Sequence, residues 1–182
     1  MTILTALFTA LIAAGSFIKV PIGAVPVTLQ TLFVFLSGLL LPPLNASLSV
    51  LVFIVLGVIG LPVFTSGGGI GALISPTGGF IFGFLVSAVV GSLLAERKHD
   101  SIVYNVFVVL VMEIIVYLIG IPWLKINLST TWAKAFTVGL LPFIPGDAVK
   151  IAVAAAASKI LYPEVKKLSQ RLGEREKSGE EA

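Results

Sequence analysis

Residues 102–121 read IVYNVFVVLVMEIIVYLIGI, a run in which Glu113 is the one charged residue. A helix rises about 1.5 Å per residue, so a run of this length crosses the roughly 30 Å hydrocarbon core of a bilayer. A helix of a soluble protein would carry a polar face, and this one has hardly any. The pattern recurs through the first 162 residues. Apolar runs predict spans at Ile3–Val20, at Leu29–Leu41 with a lead-in from Val25, at Ala46–Leu61, Thr77–Ala95, Ile102–Ile121 and Asp147–Leu161. Pro42-Pro43 forces the turn between the second and third, because neither proline can donate in a continuing helix. A mildly apolar segment, Trp132–Ile144, is ended by Pro142 and Pro145 and precedes the last span. The expectation is an all-α integral membrane protein with a six-transmembrane-helix bundle over residues 1–162. From Pro163 a charged, solvated tail should occupy 163–182.

Composition agrees: 57% of residues are hydrophobic and 12% charged, and the mean hydropathy is +1.09. The net charge of +3 does not imply a nucleic-acid partner, because the basic residues sit beside the predicted spans and act as an orientation signal. With both termini on one side, that side holds eight of them: Arg97, Lys98, Lys159, Lys166, Lys167, Arg171, Arg175 and Lys177. The opposite side holds three, Lys19, Lys125 and Lys134, with Lys150 inside the last span. Cytoplasmic termini in a cell membrane follow from this count. The first twenty residues lack a basic leading segment, so they read as a retained helix and not a cleaved signal peptide. There is no cysteine, hence no disulfide framework.

Polar residues at membrane depth are where function is sought. In Pro145-Gly146-Asp147-Ala148-Val149-Lys150, proline and glycine end one element and Asp147 opens the next helix, with Lys150 one turn on. Two readings stand: Asp147 as an N-cap with Lys150 as its counter-ion, or a polar ligand site at the outer end of the bundle. The connection Pro62–Pro76 contains Ser66-Gly67-Gly68-Gly69-Ile70-Gly71-Ala72. It lacks the Lys-Ser/Thr of a phosphate-binding loop, so it reads as a mobile lid, a close backbone approach to a ligand, or plain flexible chain. Glu113 is either functional or hydrogen-bonded to a neighbouring helix. His99, in the loop Glu96–Asp100, should be solvated. Ala6, Ala10 and Ala14 share one face of the first helix, either for packing within the bundle or for close approach of another helix. No catalytic constellation, metal-ligand cluster or cofactor motif is evident.

Four separated segments together resemble the BioY family, the biotin-binding S components of energy-coupling factor (ECF) transporters. They are Val25-Pro26-Val27-Thr28-Leu29-Gln30-Thr31-Leu32, then Gly57-Val58-Ile59-Gly60-Leu61-Pro62-Val63-Phe64, then Ser75-Pro76-Thr77-Gly78-Gly79-Phe80 with Gly83-Phe84, and Leu141-Pro142-Phe143-Ile144-Pro145-Gly146-Asp147-Ala148-Val149-Lys150. The resemblance covers residues 3–162, although the Gly67–Gly71 loop carries no basic residue. It implies a non-enzymatic six-helix transport subunit that captures biotin from outside. Its partners would be a transmembrane T component, docked on the Ala6/Ala10/Ala14 face, and two ATPase subunits. Asp147 and Lys150 are then expected at the ligand, with Thr28 and Gln30 as polar contacts. Phe64 and the backbone at Gly78-Gly79 would approach from the 62–76 connection. The alternatives are an S component for another vitamin, or an intramembrane enzyme using Glu113 and Asp147 as an acid/base pair.

Overall fold

A computed structural model of the chain describes residues 2–21, 25–96 and 101–179. The loop carrying Arg97, Lys98 and His99 lies outside the described residues, as do the side chains of Arg175 and Lys177.

Helix α1, Thr2–Phe17, is followed by a two-residue strand β1, Lys19–Val20, antiparallel to β2, Val27–Thr28. The expected first span therefore loses its last residues to a ribbon, and the expected second span loses its first. What remains of the second is α2, Gln30–Leu40. Pro43 occupies the first position of α3, Pro43–Val58, where its missing N–H costs nothing. The glycine-rich connection is ordered: Phe64 and Gly67 exchange backbone hydrogen bonds of 3.0 Å each, and a five-residue helix α4, Ile70–Ile74, follows. Gly67 and Gly69 take the positive φ values, 110° and 89°, that this tight path demands. Helix α5, Gly78–Ala95, matches its predicted span closely.

Helix α6, Ile102–Asn127, is six residues longer than its predicted span. It runs through Pro122, whose ring removes a hydrogen bond from the solvent- or lipid-facing Leu118 carbonyl and does not end the helix. The mildly apolar segment contains α7, Trp132–Gly139. Helix α8, Ile144–Gly179, corrects two expectations. Pro145 and Gly146 lie inside its first turn and do not close a preceding element. Pro163 does not terminate it, so the charged tail continues as helix, with Glu164, Lys166, Lys167 and Arg171 exposed.

By length and composition, α5 and α6 can each cross a bilayer, and α7 with α8, bent by 52° at their junction, makes a third candidate. Helices α1, α2 and α3 are apolar but shorter. The expectation of six spans is thus established only as an all-helical bundle of apolar helices.

Helix α5 lies at the centre, packed on α2, α3 and α6. Its closeness to α6 comes from glycine: a Cβ on Gly83 would sit 3.0 Å from the Val116 Cα, and one on Gly120 would sit 2.5 Å from the Phe80 ring. Polar side chains tie other helices together. Thr9 Oγ1 donates to the Ser49 carbonyl (2.9 Å) between α1 and α3, and Asn105 Nδ2 donates to Ser158 Oγ (2.9 Å) between α6 and α8.

Gly78, at the start of α5, has no room for a side chain, since a Cβ there would lie 1.6 Å from the Leu73 carbonyl oxygen, which is backbone and cannot rotate away. Gly71 inside α4 has nothing within 4 Å of the same position. Gly78→Ala should therefore destabilise by about 1–3 kcal/mol, as overpacking does. Gly71→Ala should be neutral or slightly stabilising. Thermal unfolding of the detergent-purified variants checks the contrast, and equal melting temperatures would refute it.

Candidate functional site

The site begins with the first turn of α8. The helix starts at Ile144, so Asp147 and Lys150 project one turn apart from the same face. Both are buried, 4% and 6% exposed. Lys150 Nζ donates to Asp147 Oδ1 at 3.0 Å and to Thr31 Oγ1 of α2 at 2.9 Å. The other carboxylate oxygen, Oδ2, accepts a short hydrogen bond from the Tyr117 hydroxyl of α6. Asp147 is therefore not an N-cap: its oxygens serve Lys150 and Tyr117 instead of free backbone N–H groups. An ion pair away from water is tolerable only with such additional hydrogen bonds.

This network forms one wall of a cavity of ≈ 500 Å³, counting its open mouth. Val25, Pro26 and Thr28 approach from the ribbon, Gln30 and Thr31 from the start of α2, and Thr65 from the glycine-rich connection. Phe80, Ile81 and Phe84 of α5, with Val116 of α6 and Phe143, supply an apolar floor. Glu113 completes the wall beside Tyr117. The cavity lies where α1 ends, α2 begins, α3 ends and α5 and α8 begin, at the end of the bundle away from the start of α1. Lys19 Nζ of β1 donates to the Thr65 carbonyl at 3.0 Å, so the ribbon and the connection touch at this end.

Four of the site residues expected from sequence thus meet in one place: Asp147, Lys150, Thr28 and Gln30. Phe64 does not line the cavity. Its ring is buried edge-on against Phe53, centroids 5.2 Å apart, and covers Gly57. Gly78 and Gly79 do not line it either. Gly78 abuts Leu73 and Gly79 abuts Trp123, while their neighbours Thr77 and Phe80 reach the space. Tyr117 and Thr31 were not singled out from sequence. Tyr117 stands four residues after Glu113 and so on its face of α6, which is the signal that could have found it. Ala6, Ala10 and Ala14 do not line the cavity and are exposed on the outer face of α1.

Two polar atoms in this wall have no hydrogen-bonding partner among the described residues: Gln30 Nε2 and Glu113 Oε2, on side chains 4% and 7% exposed. Buried polar atoms are seldom left so, and both belong to residues lining the cavity. The arrangement is an apolar chamber with an ion pair and unpaired donors and acceptors at one end. It suits a compact ligand with an apolar body and a polar head.

The comparisons with known proteins agree with one another. A probable biotin transporter BioY from Lysinibacillus sphaericus is 38% identical over 171 residues, covering 88% of this chain and 85% of the relative. The biotin transporter BioY of Thermotoga maritima is 43% identical over 150 residues, covering 82% and 88%. The fold matches a crystal structure of the S component for biotin from an ECF-type ABC transporter, with a TM-score of 0.81 and 31% identity. That match covers 88% of this chain and 89% of the other. Residues 1–167 match the model of the BioY family, and the chain belongs to that family.

Proposed function

We propose that this chain is the substrate-capture subunit of an ECF-type importer, binding biotin in the cavity beside Asp147 and Lys150. The observation that carries the reading is the buried Asp147–Lys150 pair inside an otherwise apolar chamber. Biotin brings an apolar bicyclic body, a ureido group and a carboxylate, which matches such a chamber. Family membership and the likeness to a solved biotin S component support the same assignment. The chain is a transporter subunit and not an enzyme, so the energy for release must come from partner chains, a transmembrane T component and two ATPase subunits.

In this reading α1, α2, α3, α5, α6 and α8 are the six spans of a membrane domain over residues 1–162. The short helices are accommodated by local thinning of the bilayer and by the ribbon that extends α2. The end of α8 emerges within a charged tail over 163–182, helical as far as Gly179. Both termini are cytoplasmic by the distribution of Lys and Arg, and the cavity then opens outward. Asp147 accepts a hydrogen bond from a ureido N–H, and Lys150 donates to the ureido oxygen. Thr28 and Gln30 flank the ligand, and the 62–76 connection covers the mouth. Phe64, Gly78 and Gly79 support that cover from behind: Phe64 anchors it to α3, and the two glycines let it join α5 closely.

Calorimetric titration of the purified protein with biotin tests the reading directly. Removing one partner of a desolvated charged hydrogen bond costs on the order of 2–5 kcal/mol, so Asp147→Asn and Lys150→Ala should each weaken biotin by at least tens of fold. Near-wild-type affinity in folded variants would sink the assignment. Hydrogen exchange within residues 63–76 should slow on saturation with biotin, and indifference there would remove the covering role. The small-residue face of α1 gives a separate outcome. Ala10→Trp should abolish co-purification with the T component while leaving biotin binding by the isolated subunit intact. Loss of both together would return Ala6, Ala10 and Ala14 to packing within the bundle.

A further inference from the structure

We propose that Glu113 is a direct ligand contact, the second hydrogen-bond acceptor for the ureido ring. This rests on the biotin reading above. The argument is a count of open valences. Asp147 already accepts from Lys150 on Oδ1 and from Tyr117 on Oδ2, which leaves a carboxylate with acceptor capacity to spare. Lys150 has three N–H bonds and uses two, on Asp147 and Thr31, leaving one donor. Gln30 Nε2 and Glu113 Oε2 use none. The site therefore offers two acceptors, on Asp147 and Glu113, and two donors, on Lys150 and Gln30. A cyclic urea offers the complement: two N–H donors flanking one carbonyl oxygen with two lone pairs. Seated here, the ring engages all four groups and leaves no buried polar atom of Gln30 or Glu113 unpaired.

Position supports the match. Asp147, Lys150 and Tyr117 are the polar neighbours of Glu113, so its carboxyl group faces the same point as the ion pair from a different helix. Two carboxyl groups then converge on one ammonium, in a chamber otherwise walled by phenylalanine and aliphatic side chains. An excess of acceptors over cations suits an N–H-rich head group and is unsuited to a ligand carboxylate. The ureido end is thus the end that Glu113 reads. It also gives the acid a use that requires no chemistry on the ligand.

The test is a titration of wild type, Glu113→Gln and Glu113→Leu with biotin, biotinamide and 2-iminobiotin, whose ureido oxygen is replaced to give a cationic guanidinium at neutral pH. Glu113→Leu removes the acceptor and should weaken biotin by about tenfold or more. Biotinamide, altered only at the tail, should lose the same factor. Glu113→Gln keeps the shape but removes an acid that can ionise against a cationic head group, so the ratio of 2-iminobiotin to biotin affinity should fall by about tenfold. That ratio, taken on one protein sample, does not depend on the fraction correctly folded. A ratio changed by less than about threefold overturns the assignment, as does tighter binding of biotin, but not of biotinamide, by Glu113→Gln. That last result would put the acid at the carboxylate end. Absence of biotin binding by the wild-type protein would overturn the transport reading itself.

Discussion

A lysine ammonium among apolar helices persists only if its charge is paired and further hydrogen-bonded. Lys150 meets that demand by bonding Asp147 on its own helix and reaching across to Thr31 on α2, while Tyr117 of α6 steadies the far carboxylate oxygen. One buried charge thereby fixes the relative positions of α2, α6 and α8. The geometry of the cavity follows, because its polar wall is this network and its floor is the apolar surface of α5 between the same helices. Local sequence makes the arrangement possible. Pro145 within the first helical turn supplies a fixed φ and lacks only an N–H that would be unpaired anyway, so α8 can begin where its first inward-facing residues are Asp147 and Lys150.

The remaining cohesion is packing. Lipid tails are as apolar as leucine, so helices gain from contact only where they fit closely. Gly83 brings α5 against the α6 backbone and Gly120 brings α6 against the Phe80 ring, and Gly15 brings α1 against the start of α2, where a Cβ would lie 2.9 Å from the Gln30 backbone nitrogen. That contact sits directly behind Gln30, one of the cavity's polar side chains. Small residues therefore set the depth at which the polar groups stand as well as holding the bundle shut.

Much of this was legible in the chain, and the rest failed for identifiable reasons. Apolar runs located each of the main helices, because burial in protein or lipid leaves the same signature. Their ends were less legible. Lys19–Val20 and Val27–Thr28 are two-residue strands, too short to show alternation. Pro163 reads as a boundary, yet it and Pro122 each interrupt one hydrogen bond at an exposed position, and the helix continues. At the site, Asp147 and Lys150 were visible because charge in an apolar span is conspicuous. Tyr117 and Thr31 were not, because a tyrosine or threonine is unremarkable there until a partner from another helix meets it. Phe64, Gly78 and Gly79 were legible as a group but not in their roles, since sequence order places them beside the cavity while only packing shows them supporting its neighbours.

Helix α1 has two unlike faces. Its inner face, Leu4, Phe8 and Ile12, is buried, and Thr9 and Thr5 are tied to α3 through the Ser49 carbonyl and Asn45. Its outer face, Ala6, Ala10 and Ala14, is exposed and flanked by exposed Ile3, Leu7 and Phe17. A smooth apolar strip of this kind has little use in water, but in a bilayer it allows another helix backbone to approach closely. The inner face packs against both α2 and α3. The cavity, by contrast, is framed by α2, α5, α6 and α8. The exposed strip of α1 shares no residue with the lining of the cavity. Helix α1 meets the site at two places: the Gly15 contact with α2, and the ribbon that runs from Lys19 to Thr28.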